Sequence, residues 1–220
     1  MDKILSIWKP VDMTSFDVIR IIKSKIKKNK IGHCGTLDPF AEGVLVVCMG
    51  KYTKKVQEIM SYEKMYKAKI RLGAETDTLD YTGDIIKSDK NVKNLNRKML
   101  ESIFENFIGE IYQVPPYYSA KKINGVKLCD LARKNIFIQK SPSRVKISKI
   151  ELESFNNKEI IINVVCGKGT YIRSLCRDIA YKLNLATFLF HSLMKRLFFL
   201  GPGGPDLNLT VNHLKFERLG

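Results

Sequence analysis

The chain has 220 residues, with 38 Lys and Arg against 22 Asp and Glu, a formal net charge of +16 and a sequence pI near 9.6. Hydrophobic residues make up 45% and charged residues 27%, a balance that excludes wholesale disorder and collagen-like structure. A chain this long buries roughly 70% of its unfolded surface and needs no disulfides to hold a core. No apolar run approaches the ~20 residues of a membrane helix, and the opening MDKILSIWKP has neither the long apolar stretch nor the small-residue cleavage site of a secretory signal. The cysteines are Cys34, Cys48, Cys129, Cys166 and Cys176. An odd count without a CxxC pair favours reduced thiols in a cytoplasmic protein over a disulfide frame or a zinc site, each thiol acting as a small buried hydrophobe. The positive excess fits an anionic partner, nucleic acid or an acidic membrane surface. A lysine-rich surface from an AT-rich genome would give the same balance.

In chain order, residues 4–8 are apolar apart from Ser6 and stop at Lys9-Pro10. Thr14 or Ser15 then precedes Phe16, Val18, Ile19, Ile22 and Ile26, which is N-cap chemistry followed by helical spacing. That helix ends in KSKIKKNK, residues 23–30, cations that suit a helix C-terminus and equally suit phosphates. A Gly-punctuated loop from Ile31 to Pro39 leads into the apolar run Gly43–Gly50. Residues 52–62 read as a short helix, YKAKIRL at 66–72 as a strand, and GAETDTLDYTGD at 73–84 as an acidic loop. Leu95, Met99, Leu100, Ile103, Phe104, Phe107 and Ile108 make one stripe of an amphipathic helix. The stretch 112–125 is aromatic, basic and irregular, and 126–135 reads as a short helix. Residues 145–155 and 159–166 read as strands, Gly167–Thr170 as a turn and 171–183 as a helix with Ile172, Leu175, Ile179 and Leu183 on one face. The irregular alternation predicts an α+β fold with a mostly antiparallel sheet rather than a doubly wound one. One domain is expected over residues 1–200, followed by a breaker-rich, loose tail over 201–220.

Several familiar motifs fail on spacing. Gly43 to Gly50-Lys51 is not a P-loop, and Tyr52 stands where Ser or Thr would be needed. GPGG at 201–204 follows no strand and opens no helix. His33, His191 and His213 lack metal-ligand spacing. What remains is GHCGTLDPFAEGVL at 32–45. There Pro39 biases Asp38 towards extended geometry, so its carboxylate is displayed on a stiff loop as a nucleophile or base, or simply as a turn residue. Gly167-Lys-Gly-Thr-Tyr-Ile-Arg173 joins a strand to a helix, and Arg173 beside apolar residues wants a buried anionic partner. Tyr66 heads a strand among cations at 64, 67 and 69, where a plain core aromatic would also fit.

Taken in order, these elements resemble the TruB family of tRNA pseudouridine synthases, from about Leu5 to Arg196. The resemblance rests on Lys9-Pro10 with Thr14-Ser15, GHCGTLDPFAEGVLVVCMG at 32–50 and MYKAKIRLGAETDTLDYTGD at 65–84. QVPPYYSAKKINGVKLCDLAR at 113–133 and VVCGKGTYIRSLCRDIA at 164–180 complete it. It implies the pseudouridine synthase fold and isomerisation of uridine 55 in the tRNA T loop, with no cofactor and no metal. Asp38 is then the nucleophile, Arg173 its charge partner and Tyr66 the aromatic stacked on the base. Tyr171, His33, Lys9, Leu193 and Asp80 contact or support the substrate. The family's late motif survives only as Ser192, Leu193, Met194, Lys195 and Arg196, and no PUA domain is recognisable after it. The implied partner is tRNA through its T-arm stem-loop, with no membrane, no obligate protein partner and a monomeric, cytoplasmic enzyme. Two other functions share the basic surface: a tRNA-binding or folding chaperone, and a TruB-like synthase for another RNA.

Overall fold

The computed structural model describes residues 2–26, 30–89 and 95–198. In chain order the elements are β1 (Lys3–Lys9), α1 (Ser15–Lys25), β2 (Ile31–His33), β3 (Glu42–Met49), a 3₁₀ turn (Gly50–Lys55), α2 (Val56–Ser61), β4 (Glu63–Leu72), β5 (Ala74–Thr76) and β6 (Ile85–Ser88). They continue with α3 (Arg97–Glu105), β7 (Gly109–Gln113), β8 (Lys122–Ile123), β9 (Val126–Lys127), α4 (Leu128–Ala132), β10 (Ser143–Phe155), β11 (Glu159–Cys166), α5 (Ile172–Lys182) and β12 (Thr187–Phe198). The chain forms two compact units, one from Met1–Tyr66 with Ser192–Gly220, the other from Lys67–His191. The strands β4 and β12 each run across that division. The expected tail at 201–220 and residues 27–29 of the basic stretch lie outside the described residues.

The first unit is built around β3. Its sequence, EGVLVVCM, is almost continuously apolar and nearly all of it is buried, the pattern of a strand covered on both faces. Val44, Val46 and Cys48 feed one cluster, with Cys34, Leu37, Ala41, Ile59 and Met194. Leu45, Val47 and Met49 feed the other, with Ile7, Val18, Ile19 and Ile22. β1 runs antiparallel along β3, from Lys3 opposite Met49 to Lys9 opposite Gly43. β2 pairs antiparallel with the far end of β3. At the near end β12 joins in parallel, Leu193 opposite Glu42 and Met194 opposite Gly43. The sheet is therefore mixed. Gly43 has φ +126°, and a Cβ there would sit 2.3 Å from the Met194 carbonyl oxygen, so only glycine lets the two backbones approach this closely.

Helix α1 covers the second cluster with Val18, Ile19 and Ile22, while Phe16, expected on the same stripe, is 65% exposed. Its start follows the predicted cap. Asp17 N donates to Thr14 Oγ1 at 3.0 Å and Thr14 N donates to Asp17 Oδ2 at 2.9 Å, a reciprocal capping box. The hydroxyl and amide of Thr14 hold the Asp17 carboxyl below its ordinary value. A carboxylate whose folded pKa is depressed stabilises above its ordinary pKa, and that contribution is lost as the pH falls through the folded value. Thr14→Ala should cost about 1 kcal/mol. Urea unfolding at pH 7 and at pH 3 checks both points: the gap between variant and parent narrows at the lower pH.

In the second unit β10 pairs antiparallel with β7 on one side and β11 on the other, with register shifts after Ile147 and after Leu152. Ile160, Ile162, Val164 and Cys166 alternate inwards along β11, and α3 lies against β10 and α5. Three expectations change here. The acidic loop at 73–84 contains β5, which pairs with β6 as a hairpin. Residues 126–135 open with β9, paired to β8, before the five-residue α4. The third is β12, which the sequence reading did not anticipate. Its TFLFHSLMKRLF has no polar alternation, so the period that marks a half-buried strand is missing.

Candidate active site

Within the first unit, Asp38 stands on the loop between β2 and β3 with its side chain half buried. The loop is held at both ends. Ala41 N donates to Asp38 O at 3.1 Å and closes the turn. Leu37 N donates to Ser15 Oγ at 2.9 Å, fastening the loop to the first residue of α1. Pro39 O accepts from Asp12 N at 2.9 Å and from Lys9 Nζ at 3.2 Å.

Lys9 is 0% exposed. An ammonium has three donors, and here they meet three backbone carbonyls, Pro10 O and Met13 O at 2.7 Å each and Pro39 O at 3.2 Å. The resemblance places Lys9 among the substrate contacts. The structure gives its donors to the protein itself, so Lys9 is a positioning residue beneath the Asp38–Pro39 loop. Burial pushes its pKa down to about 8, partly offset by the negative charge of Asp38. The proton therefore leaves the folded state near pH 8 and the unfolded state near 10.5, and stability from this group rises with pH between those values. Lys9→Met should lower stability by about 1–3 kcal/mol, because three carbonyls lose a buried donor. The difference from the parent should widen from pH 8 towards 10.5 in urea titrations.

His33, the last residue of β2, places Nδ1 2.6 Å from Gly35 O. A carbonyl only accepts, so Nδ1 carries the hydrogen and Nε2 is left as the ring's other site. Tyr66 on β4 packs against the cluster formed by Cys34, Leu37 and Ala41, the apolar floor of the same loop. Leu193 on β12 is opposite Glu42 and half buried.

Within the second unit, Arg173 and Asp80 come together. Their side chains are 4% and 6% exposed, with Arg173 Nη1 3.4 Å from Asp80 Oδ2. Nη1 also donates to Thr78 O and Nη2 to Tyr118 O, both at 2.8 Å. Asp80 Oδ1 accepts from Thr78 Oγ1 at 2.9 Å, Thr82 N at 3.0 Å and Thr82 Oγ1. Asp80 is thus a buried anionic partner of Arg173, itself oriented by a turn in which Leu79 takes φ +61°. Tyr171 is the N-cap of α5. Its N–H donates to Gln113 Oε1 at 2.8 Å, which ties the turn after β11 to the end of β7. The contributions of Thr78 and Tyr118 had no sequence signal, since a backbone carbonyl is the same in every residue. In the aromatic stretch beyond 112, the Lys140 ammonium sits 3.2 Å from the Tyr117 ring centroid, and Phe137 meets that ring edge-on at 5.0 Å. Burial and Arg177 push the Lys140 pKa down to about 8.

Residues 23–172 match the TruB family pseudouridylate synthase N-terminal domain. The chain belongs to the TruB family. It is 46% identical over 191 residues to the tRNA pseudouridine synthase B of Clostridium acetobutylicum, covering 87% of this chain and 65% of that protein. It is 42% identical over 184 residues to the tRNA pseudouridine synthase B of Endomicrobium trichonymphae, covering 84% and 80%. Among solved structures it is similar to the crystal structure of a Cbf5–Nop10–Gar1 complex. That match has TM-score 0.66 and 26% identity and covers 88% of this chain and 48% of that one. The expected pseudouridine synthase fold, α+β with a mixed sheet, is therefore the fold of this TruB chain, which spans 65% of the length of the clostridial relative. Among the described residues, no helix is long and apolar enough to cross a membrane.

Proposed function

We propose that this chain isomerises uridine to pseudouridine in the T loop of tRNA, at position 55. On this reading it works as a cytoplasmic monomer without cofactor, on the T-arm stem-loop alone as well as on whole tRNA. The observation that carries the reading is the Asp38 loop, a family motif fastened from below by a buried lysine. A carboxylate that must attack a sugar or base carbon gains from being held in one place, because orientation entropy is then met by folding.

Asp38 Oδ attacks the nucleotide, the N1–C1′ bond breaks, and the uracil turns to present C5. C5 joins C1′, the carboxylate is released, the C5 proton leaves and N1 takes one up. The step is an isomerisation, so atoms balance without a donor or an oxidant, and covalent attack divides one hard step into two. The target base has to leave the loop's stack, at a cost of a few kcal/mol. We assign Tyr66 to stack on it, which returns about 1–3 kcal/mol. His33, Tyr171 and Leu193 are assigned to shape the base and ribose site. Arg173 supplies a fixed positive charge, and Asp80 orients it.

The test is an unmodified tRNA transcript and its isolated T-arm, each incubated with the protein alone and mapped by carbodiimide primer extension. One new stop at uridine 55 on both substrates is the expected result. Binding without any stop moves the reading to a tRNA-binding chaperone. A stop at another uridine moves it to another RNA target.

A further inference from the structure

Cys34 and Cys48 lie in the apolar cluster under the Asp38 loop, 4% and 0% exposed. Their sulfurs are 3.4 Å apart. The strand register brings them together. Cys48 is opposite Gly32 in the β2–β3 pair, and Cys34, just past the end of β2, donates its N–H to Val46 O at 2.8 Å. The thiol of Cys34 thus comes to rest beside that of Cys48. The shared hydrogen bond holds the Cys48 thiol below its ordinary pKa and pushes that of Cys34 up. A reactive thiol also needs access. Cys34 is followed by Gly35 at φ +130° and by Thr36, which is exposed. Local opening of this short turn alone would bring Cys34 within reach of a small molecule, with the strands left paired.

We propose that Cys34 and Cys48 form a thiol–disulfide modification site that takes hydrogen peroxide as its co-reactant. One thiol gives up its proton and its sulfur attacks an oxygen of the peroxide; the O–O bond breaks, leaving a sulfenic acid and a hydroxide that takes up the proton as water. The other sulfur then attacks the oxidised one, the S–O bond breaks and a second water leaves. The two thiols lose two electrons and two protons in all, and the peroxide is reduced to two waters. The sulfurs must close from 3.4 Å to a bond of about 2.0 Å. That movement draws the residue after His33 towards β3 and shifts the loop carrying Asp38. The bridge would act as a reversible brake on that loop, as intracellular disulfides often do.

The full chain, reduced and folded, is treated with a slight molar excess of hydrogen peroxide, alkylated, digested with a protease that cuts after Glu42, since no Lys or Arg lies between the two cysteines, and weighed. The peptides holding Cys34 and Cys48 should be recovered joined and lighter by two hydrogens. Dithiothreitol should make both alkylable again, and Cys129 should take no part in the link. Cys48→Ser and Cys34→Ala should each abolish the joined species, with gel filtration and circular dichroism confirming that they fold. Linkage found only after denaturation, linkage through other cysteines, or full alkylation of both thiols after peroxide would overturn the proposal. The readout is a mass, independent of pseudouridine formation, so failure of the site and failure of the proposed activity are seen separately.

Discussion

On the proposed function, Asp38→Asn should leave the protein folded and able to bind tRNA but lower pseudouridine formation by about 10⁴-fold or more, the scale seen when a covalent nucleophile is removed. The amide is isosteric with the carboxylate, so the loop should survive the change. The hydrogen bonds that fasten the loop run through the Asp38, Leu37 and Pro39 backbone groups, which the substitution leaves in place. A chaperone that merely refolds tRNA would lose nothing by the substitution. Single-turnover assays at saturating enzyme, paired with filter binding, separate the two outcomes. An unchanged rate would sink the nucleophile assignment. A lost rate together with lost binding would point to a collapsed loop instead. Lys9→Met discriminates further, because a loosened loop should lower the rate while the carboxylate remains.

Arg173→Met lowers stability by about 3–5 kcal/mol, the range for breaking one side of a buried ion pair. In a chain of this size that is a fall in melting temperature on the order of 10 °C. The size follows from what the guanidinium leaves behind: the Asp80 carboxylate without its cation, and two buried carbonyls, Thr78 O and Tyr118 O, without donors. Asp80→Asn in the same background should restore part of the loss by removing the unpaired charge, a positive coupling in a double-mutant cycle. Arg173→Lys should recover less than its charge suggests, since a single ammonium cannot reproduce a fork aimed at two carbonyls. If Arg173→Met melted within a degree or two of the parent, Asp80 and the two carbonyls would be satisfied by other means and the account of this pair would be wrong.

Much of this architecture was legible in the residues. Thr14 or Ser15 ahead of the apolar spacing announced the start of α1, and the apolar run Gly43–Gly50 announced a buried segment, which the structure shows as the strand β3. Arg173 announced that it needed an anion; the resemblance gave it Asp38, and its pairing with Asp80 had no mark in the sequence. Other parts left no mark. Lys9 entered only through the resemblance, as a substrate contact, because its place depends on three carbonyls from two separate loops. The proximity of Cys34 and Cys48 is a consequence of register, which a list of cysteine spacings does not contain. β12 carries a pattern shaped by changing neighbours along its length, and no single period describes it.

The parallel seat of Met194 against Gly43 sets an order on the birth of the protein. β3 is made early, yet its cluster includes Met194 and its near edge is matched by Leu193 and Met194. During synthesis the first 66 residues must wait for more than a hundred others before that seat is filled. The second unit has no such debt, being continuous from Lys67 to His191. Long-range closure of this kind is slow because the loop entropy is met before the contact is made. A ribosome stalled when residue 191 has just cleared its exit tunnel should therefore carry a second unit already closed, and a first unit whose β3 still lacks its β12 partners Leu193 and Met194.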